Sequence, residues 1–158
     1  MITPVHELPS AAEDRKPSGG ASRARFILCA LFVLSLPFVN PWVRGDGVGY
    51  YAFARALLIE GRLDFTQDYV HANEKFRELR LDESYRPRPR FVTATGHLDN
   101  HFTIGPAILW SPFLVATHAG VLTARALGSP LSADGFSAPY RMAMGFATAL
   151  YGFLALRI

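Results

Sequence analysis

The chain has 158 residues, of which 50% are hydrophobic and 18% are charged, and its formal net charge is +3. The basic residues alternate with acidic residues and prolines, without the clustered lysines and arginines of a nucleic-acid interface. Nucleic acid is therefore not an expected partner. The hydrophobic residues instead lie in long uncharged runs, which is typical of a membrane protein.

The first run follows a polar N-terminal segment. Residues 1–24 are rich in proline, serine, glycine and charge, which predicts a disordered tail. Residues 25–43 are long and apolar enough for a first transmembrane helix. Arg23 and Arg25 at its start predict a cytoplasmic N-terminus. A cleavable signal peptide is the alternative, but residues 40–44 contain no cleavage site of small residues.

A polar segment of residues 44–101 separates this run from the next, and we expect it to form an extracytoplasmic loop. Five apolar residues recur in it at helical spacing and predict an amphipathic helix on the membrane surface: Tyr50, Phe53, Ala54, Leu57 and Leu58. Residues 74–79 predict a second, short surface helix, which Pro87 and Pro89 follow.

Residues 102–126 predict a second transmembrane helix, because no charge occurs between Phe102 and Ala124. Residues 127–140 are then expected to form a cytoplasmic loop, and residues 141–158 the truncated start of a third span. The expected fold class is an all-α polytopic membrane protein. We further expect the chain to be the N-terminal piece of a longer protein and to be inactive alone.

The segment RGDGVGYY at the start of the polar loop carries the first candidate site. Asp46 follows the first span directly and precedes the amphipathic helix. Its carboxylate could accept a proton or bind a divalent cation. Alternatively, Asp46 caps the helix, since aspartate is a preferred N-cap residue. Both roles are compatible.

The segment TGHLDNHFTIGP at the end of the loop carries the second candidate site. Asn100 and His101 lie just before the second span, where polar groups could meet the head of a membrane-borne substrate. The spacing of His97, Asp99 and His101 is weak evidence for a metal site. The sequence contains no phosphate-binding Walker loop and no nucleophile elbow.

Together, a first span, a DGxGYY motif opening a helix and a loop ending in NHFTIGPAILWSPF resemble the GT-C superfamily of membrane glycosyltransferases, which includes the protein mannosyltransferases. The resemblance covers roughly residues 26–125. It implies a bacterial inner-membrane enzyme that transfers a sugar from a polyprenyl-phosphate donor at the extracytoplasmic face. It also implies that Asp46 is the general base, or a metal ligand in metal-dependent branches. Substrate contacts are then expected from four residues: Tyr50, Tyr51, Asn100 and His101.

A non-enzymatic polytopic membrane protein, such as a transporter or an assembly subunit, is the competing hypothesis. Transporters place their functional polar residues near the middle of the membrane. Here the polar residues concentrate at the boundaries between spans and loop, which favours an enzyme. Membrane lipid is an expected partner in either case, and a divalent metal is the one cofactor that the sequence leaves open.

Overall fold

The computed structural model describes residues 19–76 and 79–157, whose regular elements are helices. Five α-helices follow one another along the chain: α1 Gly19–Ser35, α2 Asp46–Arg55, α3 Thr66–Phe76, α4 Gly105–Ala126 and α5 Ala138–Ala155. A 3-10 turn, Leu36–Phe38, continues α1, and a π-helical turn, Ala56–Glu60, continues α2. The all-α class is thus confirmed for the described residues.

Two compact units divide the chain, one of residues 1–37 and one of residues 38–158. In the first unit, α1 begins at Gly19, so residues 19–24 of the predicted tail are helical. Residues 1–18 of that tail lie outside the described residues. From its second residue to the end of the 3-10 turn, Gly20–Phe38, α1 is a 19-residue apolar helix that is long enough to cross a membrane, although a signal sequence has the same character.

In the second unit, α4 has 22 residues and could also cross a membrane by length and composition. Its length of about 33 Å matches the hydrocarbon core of a bilayer. Within the described residues, α1 and α4 are the two helices of this kind. The predicted third span corresponds to α5, which packs beside α4. Their contacts include a hydrogen bond of 2.7 Å between His118 Nδ1 and the Tyr140 hydroxyl.

The helix α2 is not the amphipathic surface helix that its sequence predicted. It is buried on two faces, and small residues make this close packing possible: Ala52, Ala54 and Ala56 are almost fully buried. Leu57 and Leu58, assigned to its apolar face, are instead 42% and 43% exposed. Of the predicted apolar face, Ala54 is buried but Leu57 and Leu58 are not, and the other buried positions of α2 include Val48, Tyr51 and Ala52.

Two hydrophobic clusters meet at α2. One joins α2 to α3 and to the following loop through Val48, Phe65, Tyr69, Leu81 and Leu98. The other joins α2 to α4 and α5 through Tyr51, Leu114, Val121, Tyr140 and Met144. Burial in both clusters makes α2 the central element of this unit.

The second predicted surface helix is displaced. The structure has α3 over Thr66–Phe76, whereas the prediction started the helix at Glu74; residues 77 and 78 lie outside the described residues. The carboxylate of Asp64 accepts a hydrogen bond of 3.0 Å from the Thr66 N–H, which satisfies one of the unpaired amides at the start of α3.

The loops predicted at opposite membrane faces are in contact. The hydroxyl of Tyr51, in residues 44–101, donates a hydrogen bond of 2.6 Å to the carbonyl of Gly135, in residues 127–140. A hydrocarbon core about 30 Å thick cannot separate two groups that share a hydrogen bond. Because α4 joins these two loops, the hydrogen bond does not fit a membrane crossing by α4 between them, which the prediction of opposite faces requires.

Candidate functional site

The candidate site at the start of α2 is formed by a glycine turn. Gly45 precedes the helix with a φ of 59°, a conformation that favours glycine, and no side chain caps the helix there. Asp46 is the first helical residue rather than the N-cap, so the capping prediction is wrong. Its negative charge nevertheless lies at the positive end of the helix dipole.

The carboxylate of Asp46 is exposed. Within residues 19–76 and 79–157, it takes part in no hydrogen bond or ion pair. It is thus available to a substrate or a cation. The neighbouring Arg44 is also exposed, which places a positive group two residues before this carboxylate.

Asn100 joins the two ends of the polar segment. Its side-chain amide donates a hydrogen bond of 2.8 Å to the Gly49 carbonyl, and its oxygen accepts one of 3.2 Å from the Tyr69 hydroxyl. Gly49 is needed here, because a Cβ at this position would lie 1.9 Å from the Phe102 ring. The structure therefore brings the start of α2 against residues 100–102, and the amide of Asn100 is already used in this contact.

Tyr50 and Tyr51 point to different environments. The partly exposed Tyr50 packs edge-on against Phe102 with ring centroids 5.3 Å apart. Tyr51 is 6% exposed. Burial raises the pKa of its phenol, and the charge of Asp68 adds to this, so the hydroxyl stays a neutral donor to Gly135. A buried ring cannot stack on a sugar, and the prediction of Tyr51 as a substrate contact does not fit its place in the fold.

His101 is exposed, and its Nδ1 faces the guanidinium of Arg80. Since an arginine only donates, Nδ1 accepts and the ring proton lies on Nε2. Arg80 in turn lies over the Tyr69 ring, 4.8 Å from its centroid. This contact leaves His101 with one ring N–H that faces outward and can donate to a ligand.

No pattern in the sequence indicated the buried ionic cluster centred on Arg55, which is 1% exposed. Its guanidinium binds both carboxylate oxygens of Asp68, at 2.6 and 2.7 Å, and one oxygen of Glu60 at 2.7 Å. It also lies 4.4 Å from the centroid of the Phe136 ring. Arg55 and Glu60 are five residues apart and meet because the π-helical turn lies between them.

This cluster connects α2, α3 and the segment before α5. Gly135, with a φ of 90°, approaches Arg55 so closely that a Cβ there would lie 2.7 Å from the arginine Cγ. Burial raises the pKa of Asp68 to about 6 although Arg55 lowers it, so the carboxyl is ionised at pH 7 and pairs with the guanidinium. The ring of His71 stacks on Phe136 at 4.3 Å, and burial lowers the pKa of this histidine.

Asp46 has no further metal ligands beside it in the described part of the chain. No three His, Cys, Asp or Glu side chains there form a group that could hold a metal ion. Comparison with known proteins adds no assignment: no protein-family profile, no curated protein and no solved structure matches the chain.

Proposed function

We propose that the chain belongs to a polytopic membrane glycosyltransferase that moves a sugar from a polyprenyl-phosphate donor to an acceptor at the extracytoplasmic face. The observation that carries the proposal is the unpaired, exposed carboxylate of Asp46 at the start of α2. Two further groups support it, the partly exposed ring of Tyr50 and the exposed imidazole of His101.

Membrane insertion is supported by the outer surfaces of α4 and α5. Large apolar side chains there are 40% or more exposed: Ile108, Leu109, Val115, Leu122, Met142 and Phe146. Exposed apolar surface of this extent on two adjacent helices is favourable against lipid and costly in water. The apolar helix α1 has the length that a span requires.

In the proposed reaction, an acceptor hydroxyl oxygen attacks the anomeric carbon of the donor sugar. The bond between that carbon and the phosphate oxygen breaks, and the polyprenyl phosphate leaves with the bonding electrons. Asp46 takes the hydroxyl proton, which is the task of a general base. Tyr50 and His101 contact the sugar, by stacking and by hydrogen bonding respectively. If the branch is metal-dependent, Asp46 instead contributes an oxygen ligand to the cation.

The test is sugar transfer by the full-length protein in lipid nanodiscs, with a radiolabelled sugar carried either on polyprenyl phosphate or on a nucleoside diphosphate. We expect labelled product from the lipid-linked donor and none from the nucleotide donor. Equal use of both donors, or the absence of transfer from either, would contradict the proposal. Binding of the lipid-linked donor without transfer would favour the non-enzymatic alternative.

A further inference from the structure

Arg141, near the start of α5, carries a charge that the described residues leave unpaired. Its guanidinium lies 3.8 Å from the centroid of the Trp42 ring. Its Nε is buried and has no hydrogen-bond partner within residues 19–76 and 79–157, and none of the ion pairs described there includes it. A buried donor without an acceptor costs free energy, so an added acceptor would stabilise this position.

The guanidinium lines a cleft whose remaining charges are balanced. Asp68 also lines it, but both of its carboxylate oxygens are bound by Arg55. Asp134 is exposed and does not line the cleft. Among the described residues that line it, Arg141 therefore carries the one charge without a partner of opposite sign. This balance favours an anion, to which a guanidinium can donate two parallel hydrogen bonds.

A largely apolar cavity adjoins this cleft. The two share Trp42 and Val43 as a common wall. The second cavity has a volume of about 210 Å³, and its walls include the apolar Trp110 and Met144 together with the charged Arg44. Gly47 also lines it, and the absence of a side chain there keeps part of this space open. An anion held at Arg141 would thus have room for an attached apolar chain directly beside it.

We propose that the two clefts together bind a membrane lipid that carries a phosphate ester, with the phosphate against Arg141 and part of the apolar chain beside Trp110 and Met144. His71 lines the same cleft and can donate a second hydrogen bond to the phosphate. Asp46 lines neither cleft, although its neighbours Arg44 and Gly47 line the second, and lipid binding there does not require that the protein transfers a sugar. A free phosphate offers the same headgroup chemistry but cannot use the apolar cavity.

The test uses the full-length protein in phosphatidylcholine nanodiscs. Isothermal titration calorimetry measures the binding of dihexanoyl phosphatidic acid, of dihexanoylglycerol and of inorganic phosphate. We expect phosphatidic acid to bind at least about tenfold more tightly than either of the others, because only it fills both clefts. Equal binding of dihexanoylglycerol would remove the role of the anion, and equal binding of inorganic phosphate would make this a free-phosphate site.

Two variants locate the binding. Arg141→Gln should weaken the binding of phosphatidic acid by at least about tenfold, since it removes a charge-assisted hydrogen-bond donor. The matched control is Arg125→Gln, which removes an exposed arginine from the last turn of α4 and should leave binding unchanged.

Gly47→Leu fills the apolar cavity and should weaken the binding of phosphatidic acid but not that of inorganic phosphate. Circular dichroism checks that each variant is folded. Unchanged binding in either folded variant, Arg141→Gln or Gly47→Leu, would overturn the proposal.

Discussion

Replacing Arg55 with methionine is expected to lower the free energy of unfolding by about 3–5 kcal/mol at pH 7, because it leaves buried carboxylates without their counter-charge. Asp68 is 3% exposed and receives both of its hydrogen bonds from Arg55. Glu60 loses one of its two arginine partners and keeps Arg62. The measurement is chemical unfolding of the full-length protein in detergent, followed by circular dichroism.

The control for this prediction is Arg62→Met, which removes the other arginine bound to Glu60. The side chain of Arg62 is 61% exposed, and an exposed pair contributes at most about 1 kcal/mol. Adding Asp68→Asn to Arg55→Met removes the unpaired charge and should recover part of the loss. Equal losses in Arg55→Met and Arg62→Met would show that the buried cluster does not hold the fold together.

The deficit of Arg55→Met should also depend on pH. In the wild type, burial raises the pKa of Asp68 from 3.8 to about 6. Folding therefore favours the protonated carboxyl, and the stability falls as the pH rises from about 4 to about 6. Without Arg55 the pKa of Asp68 rises further, so the stability of the variant continues to fall above pH 6. The difference in stability between variant and wild type should therefore be smaller at pH 5 than at pH 7.

Replacing Asp46 with asparagine is expected to lower sugar transfer at least about 100-fold, the usual contribution of a positioned general base. Because Asp46 is exposed and unpaired within the described residues, the change should move the free energy of unfolding by no more than about 0.5 kcal/mol. The readout is the transfer rate from the polyprenyl-phosphate donor, with thermal unfolding measured in parallel.

The matched control is Glu83→Gln, which removes another exposed carboxylate from the same polar segment and should leave transfer unchanged. Chelation of divalent cations by EDTA separates the two roles proposed for Asp46. Transfer by the wild type persists after chelation if Asp46 is a base, and it stops if Asp46 is a metal ligand. A full transfer rate in Asp46→Asn would remove this residue from the mechanism.

The helices themselves could be predicted from hydrophobic runs and spacing, because α4 is long and apolar and α2 follows a glycine turn. The faces of α2 could not, because its buried residues include Ala52 and Ala54 beside Val48 and Tyr51, and hydropathy patterns give alanines little weight. The contact between Asn100 and Gly49 joins the two ends of the polar segment.

The cluster around Arg55 was not predictable for a different reason. Arg55 and Asp68 lie thirteen residues apart on different helices, and Arg55 and Glu60 have the spacing of a π-helical turn rather than that of an α-helix. Tyr51 and Gly135 are separated by 84 positions in the chain. A prediction based on local periodicity does not detect contacts between residues so far apart in the chain. The two loops were assigned to opposite membrane faces because a predicted span, residues 102–126, lies between them.

The central claim is that the polar segment and the connection between α4 and α5 form one body around Arg55 and lie on the same side of the membrane, so that α4, which joins them, does not cross it. The direct measurement is labelling of single cysteines in intact cells with a membrane-impermeant maleimide. Tyr85→Cys and Ser132→Cys, each in a Cys29→Ser background, place exposed thiols in the two segments. The structure and the proposed function together predict that both cysteines are labelled from outside. Labelling of one from outside and of the other only after the cells are opened would contradict the claim.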